Sequence, residues 1–201
     1  EAASEAARLV DRVDRPDLLV LGAMFHDIGK GYPGDHVEVG IQLVDRVASR
    51  MGFADDEVAV LVSMVRHHLL LPDVATRRDL GDDATIERVA EQVGSVEMLE
   101  LLAALTEADS IATGPAAWGD WKAGLVAQLV SRTAHRLGGG DLDSAPAAPF
   151  PTSEQRALMA AGERVVQIDD DIVTVIAPDR PGVFSRVAGV LALNGLDVLE
   201  A

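Results

Sequence analysis

A few residues carry whatever chemistry this sequence can do. His26 and Asp27 stand side by side in "GAMFHDIGKG" (residues 22–31), His67 and His68 form a second pair, and Asp109 sits in "LLAALTEADSIATG". Each interrupts a largely apolar run. An isolated carboxylate in such a run costs several kcal/mol in desolvation, so it needs a strong partner. Two readings follow from residue type alone. In one, the His and Asp side chains hydrogen-bond within the core or cap helix ends. In the other they hold a divalent metal, because imidazole and carboxylate are the ligands such ions take.

The elements that must position them sharpen the pattern. At about 100° per residue, Leu61, Val65 and His68 fall on one line of a helix, and His67 points roughly 100° away. The same phase puts Leu102, Leu105 and Asp109 on one face. A helix from Pro16 to about Lys30 would be apolar on nearly every side and would bury His26 and Asp27. Four inward polar groups from three helices could then share one cation. Taken singly, each also fits a satisfied core histidine or a capping aspartate. His36 follows a glycine-rich loop, "GKGYPGDH" (29–36). His135, between Arg132 and Arg136, reads as a surface residue.

The periodicity predicts helices over 1–12, 16–30, 36–51, from Asp55 or Asp56 to His68–Leu71 before Pro72, 85–93, 95–112 and 121–137. "TRRDLGDDAT" (76–85) reads as a polar loop. "GGGDLDSAPAAPFP" (138–151) is linker composition, and Thr152 with Gln155 has capping-box spacing for a short helix over 153–161. Beyond residue 164, "DIVTVIA" (171–177) is a β-branched strand, 183–195 a helix and 196–201 the start of another strand. The expected fold is mainly α: an all-helical bundle over 1–137, a linker over 138–164, and a truncated α+β half-domain over 165–201.

Bulk properties narrow the class. The 201 residues hold 33 acidic and 17 basic side chains, a net charge of −16. That surface does not suit nucleic acid, and an anionic substrate would need local help from a metal or arginines. There is no Cys, which excludes disulfide and thiolate chemistry. No transmembrane helix is expected, and "EAASEAARLV" is not a signal peptide, so the default location is cytoplasmic. That opening reads as mid-helix, as if the chain were excised from something longer.

"FHDIGKG" resembles the signature of the HD superfamily of metal-dependent phosphohydrolases, an adjacent His-Asp followed by a distant Asp. "GDHVEVG", "VRHHLLLPDVATRRDL" and "WGDWKAGL" are similar to the HD domain of the bifunctional PII uridylyltransferase/uridylyl-removing enzymes. "PDRPGVFSRVAGVLALNGLDVLEA" resembles the first half of a ferredoxin-like ACT domain, which follows the HD domain there. The resemblance implies His26, Asp27, Asp109 and His68 as metal ligands, with Mg²⁺ or Mn²⁺ expected. It implies His36, His68 and Lys30 in catalysis, the two histidines holding a second metal or donating protons. Arg77 and Arg78 would hold the substrate phosphate. Asp179, Arg180, Pro181 and Gly182 would line an effector site. The implied reaction is hydrolysis of the nucleotidyl-tyrosine phosphodiester on the PII signalling protein, with glutamine as effector and homo-oligomerisation through ACT. The family's first His should lie upstream of His26, and residues 1–25 contain none. Two alternatives stay open: an HD hydrolase of guanosine tetraphosphate or another nucleotide, and a non-catalytic regulatory binding module.

Overall fold

The computed structural model of the chain describes residues 1–114, 116–142, 153–162, 164–169, 172–178, 180–196 and 198. They fall into two compact units, 1–147 and 148–201.

The regular elements described in the first unit are all helical. It comprises α1 (Ala2–Ala6), a 3₁₀ turn (Val10–Arg12), α2 (Pro16–Phe25), α3 (His36–Met51), α4 (Asp55–His67), α5 (Leu70–Arg77), α6 (Asp83–Val93), α7 (Val96–Thr113) and α8 (Asp120–Leu137). Local chemistry sets the boundaries. Pro16 occupies the first turn of α2, where its missing N–H is no loss. Asp35 caps α3 by accepting from the N–H groups of Val37 and Glu38. Gly52 and Gly94 close α3 and α6 in the left-handed region. Ser95 caps α7 through Met98 N–H.

α7 forms the axis of the unit. Its buried residues, among them Met98, Leu99, Leu101, Leu102, Leu105 and Ala108, lie on more than one face. It packs against α1, α2, α4, α5, α6 and α8. Leu19, Val44, Leu61, Met64, Val65, Leu71 and Leu129 complete a core with no solvent exposure. Asp55–Arg77 is apolar and long enough to cross a membrane by length and composition alone. It is broken between α4 and α5, and its Leu61, Met64, Val65 and Leu71 side chains are committed to this core.

Several boundaries differ from those read in the sequence. The 1–12 helix is only α1 plus a 3₁₀ turn. The helix expected to reach Lys30 stops at Phe25, and tight turns follow, with Ile28 N–H bonding the Phe25 carbonyl and Lys30 N–H that of Asp27. Asp27 is therefore a turn residue with its side chain 29% exposed, not a buried helical one. Pro72 does not stop the chain's helicity. It sits in the first turn of α5, which takes up Arg77 from the expected polar loop.

The second unit holds α9 (Ser153–Ala161), strands β1 (Val165–Asp169) and β2 (Ile172–Ile176), and α10 (Val183–Leu193). The strands pair antiparallel, with Val165 opposite Ile176 and Gln167 opposite Thr174. β1 was not among the expected strands: "VVQID" is five residues with Arg164 and Asp170 beside it. Gly182 (φ +82°) opens α10 in a conformation that suits glycine. The mainly α architecture with a small α+β piece at its end agrees with the sequence reading. Residues 143–152 of the expected linker, Thr152 among them, lie outside the described residues, as do Asp179 and most of the strand expected over 196–201.

Candidate metal centre

α2 and α4 run side by side in the same direction. At their starts, Arg15, the N-cap of α2, reaches Glu57 Oε1 in the first turn of α4 at 2.6 Å. At their ends, His26 and His68 are the C-cap residues, with ring centroids 5.5 Å apart. Both histidines use one device. Nδ1 of His26 lies 2.9 Å from the Ala23 carbonyl, and Nδ1 of His68 lies 2.7 Å from the Val65 carbonyl. A carbonyl only accepts, so Nδ1 of each ring carries the proton and donates it. The last turn of a helix has carbonyls to spare, and this bond also fixes the ring. Nε2, with its lone pair in the neutral form, is left facing away from the helix.

Both Nε2 atoms face carboxylates. His26 Nε2 is 3.1 Å from Asp27 Oδ2 and 3.1 Å from Asp109 Oδ1. His68 Nε2 is 3.8 Å from Asp27 Oδ1. Asp109 arrives from α7, on the face that carries Leu102 and Leu105. His36, the first residue of α3, brings its ring within 5.8 Å of the His68 ring. Lys30 Nζ donates to Asp27 Oδ2. Two sets of donor atoms result, each within 4.8 Å: His26, Asp27 and Asp109, and Asp27, His36 and His68.

The electrostatics are those of a site short of positive charge. Burial pushes the His26 imidazole down, but the Asp109 carboxylate, the Ala23 carbonyl and Asp27 outweigh it, and its pKa is raised. The bond to His26 holds the Asp109 carboxyl below the usual range despite its burial. Burial lowers His68 from its ordinary value, with the Val65 carbonyl and Asp27 opposing and His26 and His36 adding to the fall. His26 Nε2 and Asp27 Oδ1 are buried and make no aligned hydrogen bond. A nitrogen lone pair facing two carboxylate oxygens needs a proton or a cation between them. The donor set of imidazole nitrogen and carboxylate oxygen, with each ring oriented by its second nitrogen, fits a divalent metal.

The site is also open. The Asp27 and Asp109 side chains are 29% and 37% exposed, whereas those of His26 and His68 are 8% and 3%. The histidines form the floor, and the carboxylates face solvent. A close backbone contact, invisible in the sequence, sets this geometry. A Cβ on Gly29 would strike the His36 carbonyl and the Gly40 nitrogen, so only glycine lets the 26–30 turn lie against the start of α3.

The other expected residues stand differently. Arg77 pairs loosely with Asp73 on its own helix, at 3.7 Å, and is exposed. Arg78 is the exposed C-cap of α5. Neither belongs to the His/Asp donor sets. Arg180, Pro181 and Gly182 are exposed in the second unit, where Val183 N–H bonds the Arg180 carbonyl. His67 is half-buried, and burial together with Arg66 lowers its pKa. His135 Nε2 meets the Asp141 carbonyl at 3.0 Å.

Comparison with known proteins agrees with the geometry. The HD domain profile matches residues 1–114. The chain is 48% identical over 208 residues to a bifunctional uridylyltransferase/uridylyl-removing enzyme of Mycobacterium tuberculosis (strain ATCC 25618 / H37Rv), covering 100% of this chain and 25% of that protein. A protein of the same name from Streptomyces coelicolor is 53% identical over 158 residues, covering 79% of this chain and 19% of its own length. One from Cereibacter sphaeroides is 33% identical, covering 96% of this chain and 26% of its own length. The chain thus spans about a quarter of the length of these curated relatives. With the HD profile covering more than half of its residues, and His26-Asp27 at the centre of its polar cluster, the chain belongs to the HD-domain family as an enzyme of HD type.

Proposed function

We propose that this chain hydrolyses the phosphodiester that joins a uridylyl or adenylyl group to a tyrosine of a PII signalling protein. The observation that carries the chemistry is the convergence of His26 Nε2 with the Asp27 and Asp109 carboxylates on an open face. The relatives' printed name, uridylyl-removing enzyme, supports the substrate class.

His26, Asp27 and Asp109 would hold a divalent cation, Mg²⁺ or Mn²⁺. When bound, it supplies a Lewis acid for the phosphoryl oxygen and lowers the pKa of a water. The chain's own residues do the rest. The Ala23 and Val65 carbonyls keep His26 and His68 in the Nδ1–H form, so neither Nε2 presents a competing donor. Lys30, with its side chain 64% exposed, brings an ammonium to the rim beside Asp27, where an anionic phosphodiester would arrive. The leaving group is a phenol with a pKa near 10, so it needs modest help to depart. Arg77 and Arg78, exposed on the α5 end, supply positive charge for the nucleotide or for the PII surface. A PII partner would place the chain in the cytoplasm. The second unit is read as part of an ACT domain, with glutamine acting through it on the HD site.

The test uses nucleotidylated PII, Mn²⁺ and the mass of PII. Loss of one nucleotide mass by the parent chain, and none by Asp27→Ala, supports the reading and names the nucleotide. Metal-loaded chain that leaves PII modified rejects the substrate.

A further inference from the structure

We infer that four exposed apolar side chains around the donor cluster, Met24, Tyr32, Leu69 and Ile111, form a docking collar for the protein that carries the phosphodiester. This rests on the substrate reading above and adds the surface that would hold that protein. Among the described residues of the first unit, six large apolar side chains are exposed. These four, 59%, 57%, 43% and 39% exposed, each lie within two residues of His26, Lys30, His68 or Asp109. They come from the last turn of α2, the loop before α3, the junction of α4 with α5, and the last turn of α7. Single exposed apolar residues are ordinary on a surface, but four gathered about one polar centre mark an interaction site.

Helical phase sets the size of partner they fit. Two residues along a helix turn through about 200°. Met24 therefore stands on the side of α2 away from His26, and Ile111 on the side of α7 away from Asp109. The donors turn inward and these side chains turn outward, about one helix diameter of 10–12 Å beyond them. A nucleotide seated on the donors fills the middle and does not span the outer sides of α2 and α7. A protein surface does: a patch of about 800 Å² per partner has a radius of about 16 Å. Charge points the same way. Lys30 is the cation paired with the donor sets among the described residues, which matches the single charge of a diester and not the several charges of a polyphosphate. A chain of net charge −16 offers an acidic partner little ionic attraction. Apolar contact is what this face provides, and Tyr and Met are among the residues that interfaces favour.

The test compares two substrates of the intact 201-residue chain with Mn²⁺. One is nucleotidylated PII. The other is the p-nitrophenyl ester of the same nucleotide, which keeps an aromatic leaving group and has no protein. Two double variants, Met24→Ser with Ile111→Ser and Tyr32→Ser with Leu69→Ser, should each raise KM on PII about tenfold with kcat within about twofold, the mark of lost uniform binding. On the small ester their kcat/KM should change by less than about twofold. Met51→Ser is the control: Met51 is exposed at the far end of α3, about 22 Å along the helix from His36, and its loss should alter neither substrate. Circular dichroism melting shows that the variants remain folded. An unchanged KM on PII in both double variants overturns the collar and leaves the hydrolase reading standing. An equal loss on both substrates also overturns it, because these residues then serve the site itself. A parent chain that leaves PII modified overturns the collar and the substrate reading together.

Discussion

Replacing Gly29 with Ala separates packing from backbone conformation, because Gly29 is not among the residues with positive φ. The added Cβ would meet the His36 carbonyl, and it would stand 2.7 Å from the Gly40 nitrogen. Both obstacles are backbone, one at the start of α3 and one a turn further on, so α3 itself must move. Overpacking of a fitted site costs about 1–3 kcal/mol, and with no flexible side chain to yield the cost should lie near the top, about 3 kcal/mol. At a urea slope of about 2 kcal/mol/M, the midpoint falls by about 1.5 M. Gly22→Ala is the control. Its Cβ would strike the Sδ and Cε of Met64, the far end of an adaptable side chain. An alanine in the middle of α2 also gains about 1 kcal/mol in helix propensity. The net change should lie within about 1 kcal/mol of zero. Parallel urea melts read both. A Gly29→Ala midpoint within about 0.3 M of the parent, or an equal fall in Gly22→Ala, would refute the close-approach argument.

Other outcomes follow from the same geometry. Mn²⁺ at about 100 times its dissociation constant should stabilise the parent by about 2.7 kcal/mol, raising Tm by about 5–10 °C; Asp27→Asn should show no such rise in a thermal melt. Arg132 is buried with its Nε unsatisfied, and its Nη2 meets Asp83 at 2.9 Å. Asp83→Ala, which leaves the buried guanidinium unpaired, should therefore cost more, about 2–4 kcal/mol, than Arg132→Met, which removes the buried charge and leaves only the exposed Asp83 carboxylate, and which should fall within about 1 kcal/mol of the parent. Leu102, wholly buried on the central helix, should cost about 3–5 kcal/mol on replacement by Ala, read in the same urea melts.

The sequence was most legible where a regular helix carries the residue. α4 and α7 are long, so a helical phase counted from Leu61 or Leu102 delivered His68 and Asp109 to the correct side. Asp27 was read differently, from an apolar run expected to stay helical to about Lys30 and to bury it on any face. The helix ends at Phe25, and Asp27 reaches the site from a turn. His36 could be named as a candidate, but its position depends on two glycines, eleven places apart in sequence, touching through space. No periodicity encodes that contact. β1 was missed for a related reason: five residues between charged neighbours give too few alternations to tell strand from loop.

The direction of α2 and α4 explains why a cation suits this place and what Lys30 does there. Both helices point their C-termini at the cluster, and each end carries about half a negative charge. Asp27 and Asp109 add two more. Against this, Lys30 is the lysine or arginine that pairs with the donor sets among the described residues. It occupies Asp27 Oδ2, the oxygen that also faces His26. Once that oxygen is engaged by a cation, the attraction holding Lys30 weakens, and its ammonium is free to swing to an incoming phosphodiester. Lys30 would then contribute little to metal retention and more to turnover. Lys30→Met should keep its bound Mn²⁺, or bind it slightly more tightly, while kcat/KM on nucleotidylated PII falls about 10–100-fold. That is the equivalent of one charge-assisted hydrogen bond of about 1.5–3 kcal/mol. Loss of Mn²⁺ from Lys30→Met, in parallel with activity, would show instead that Lys30 builds the metal site and does not leave it.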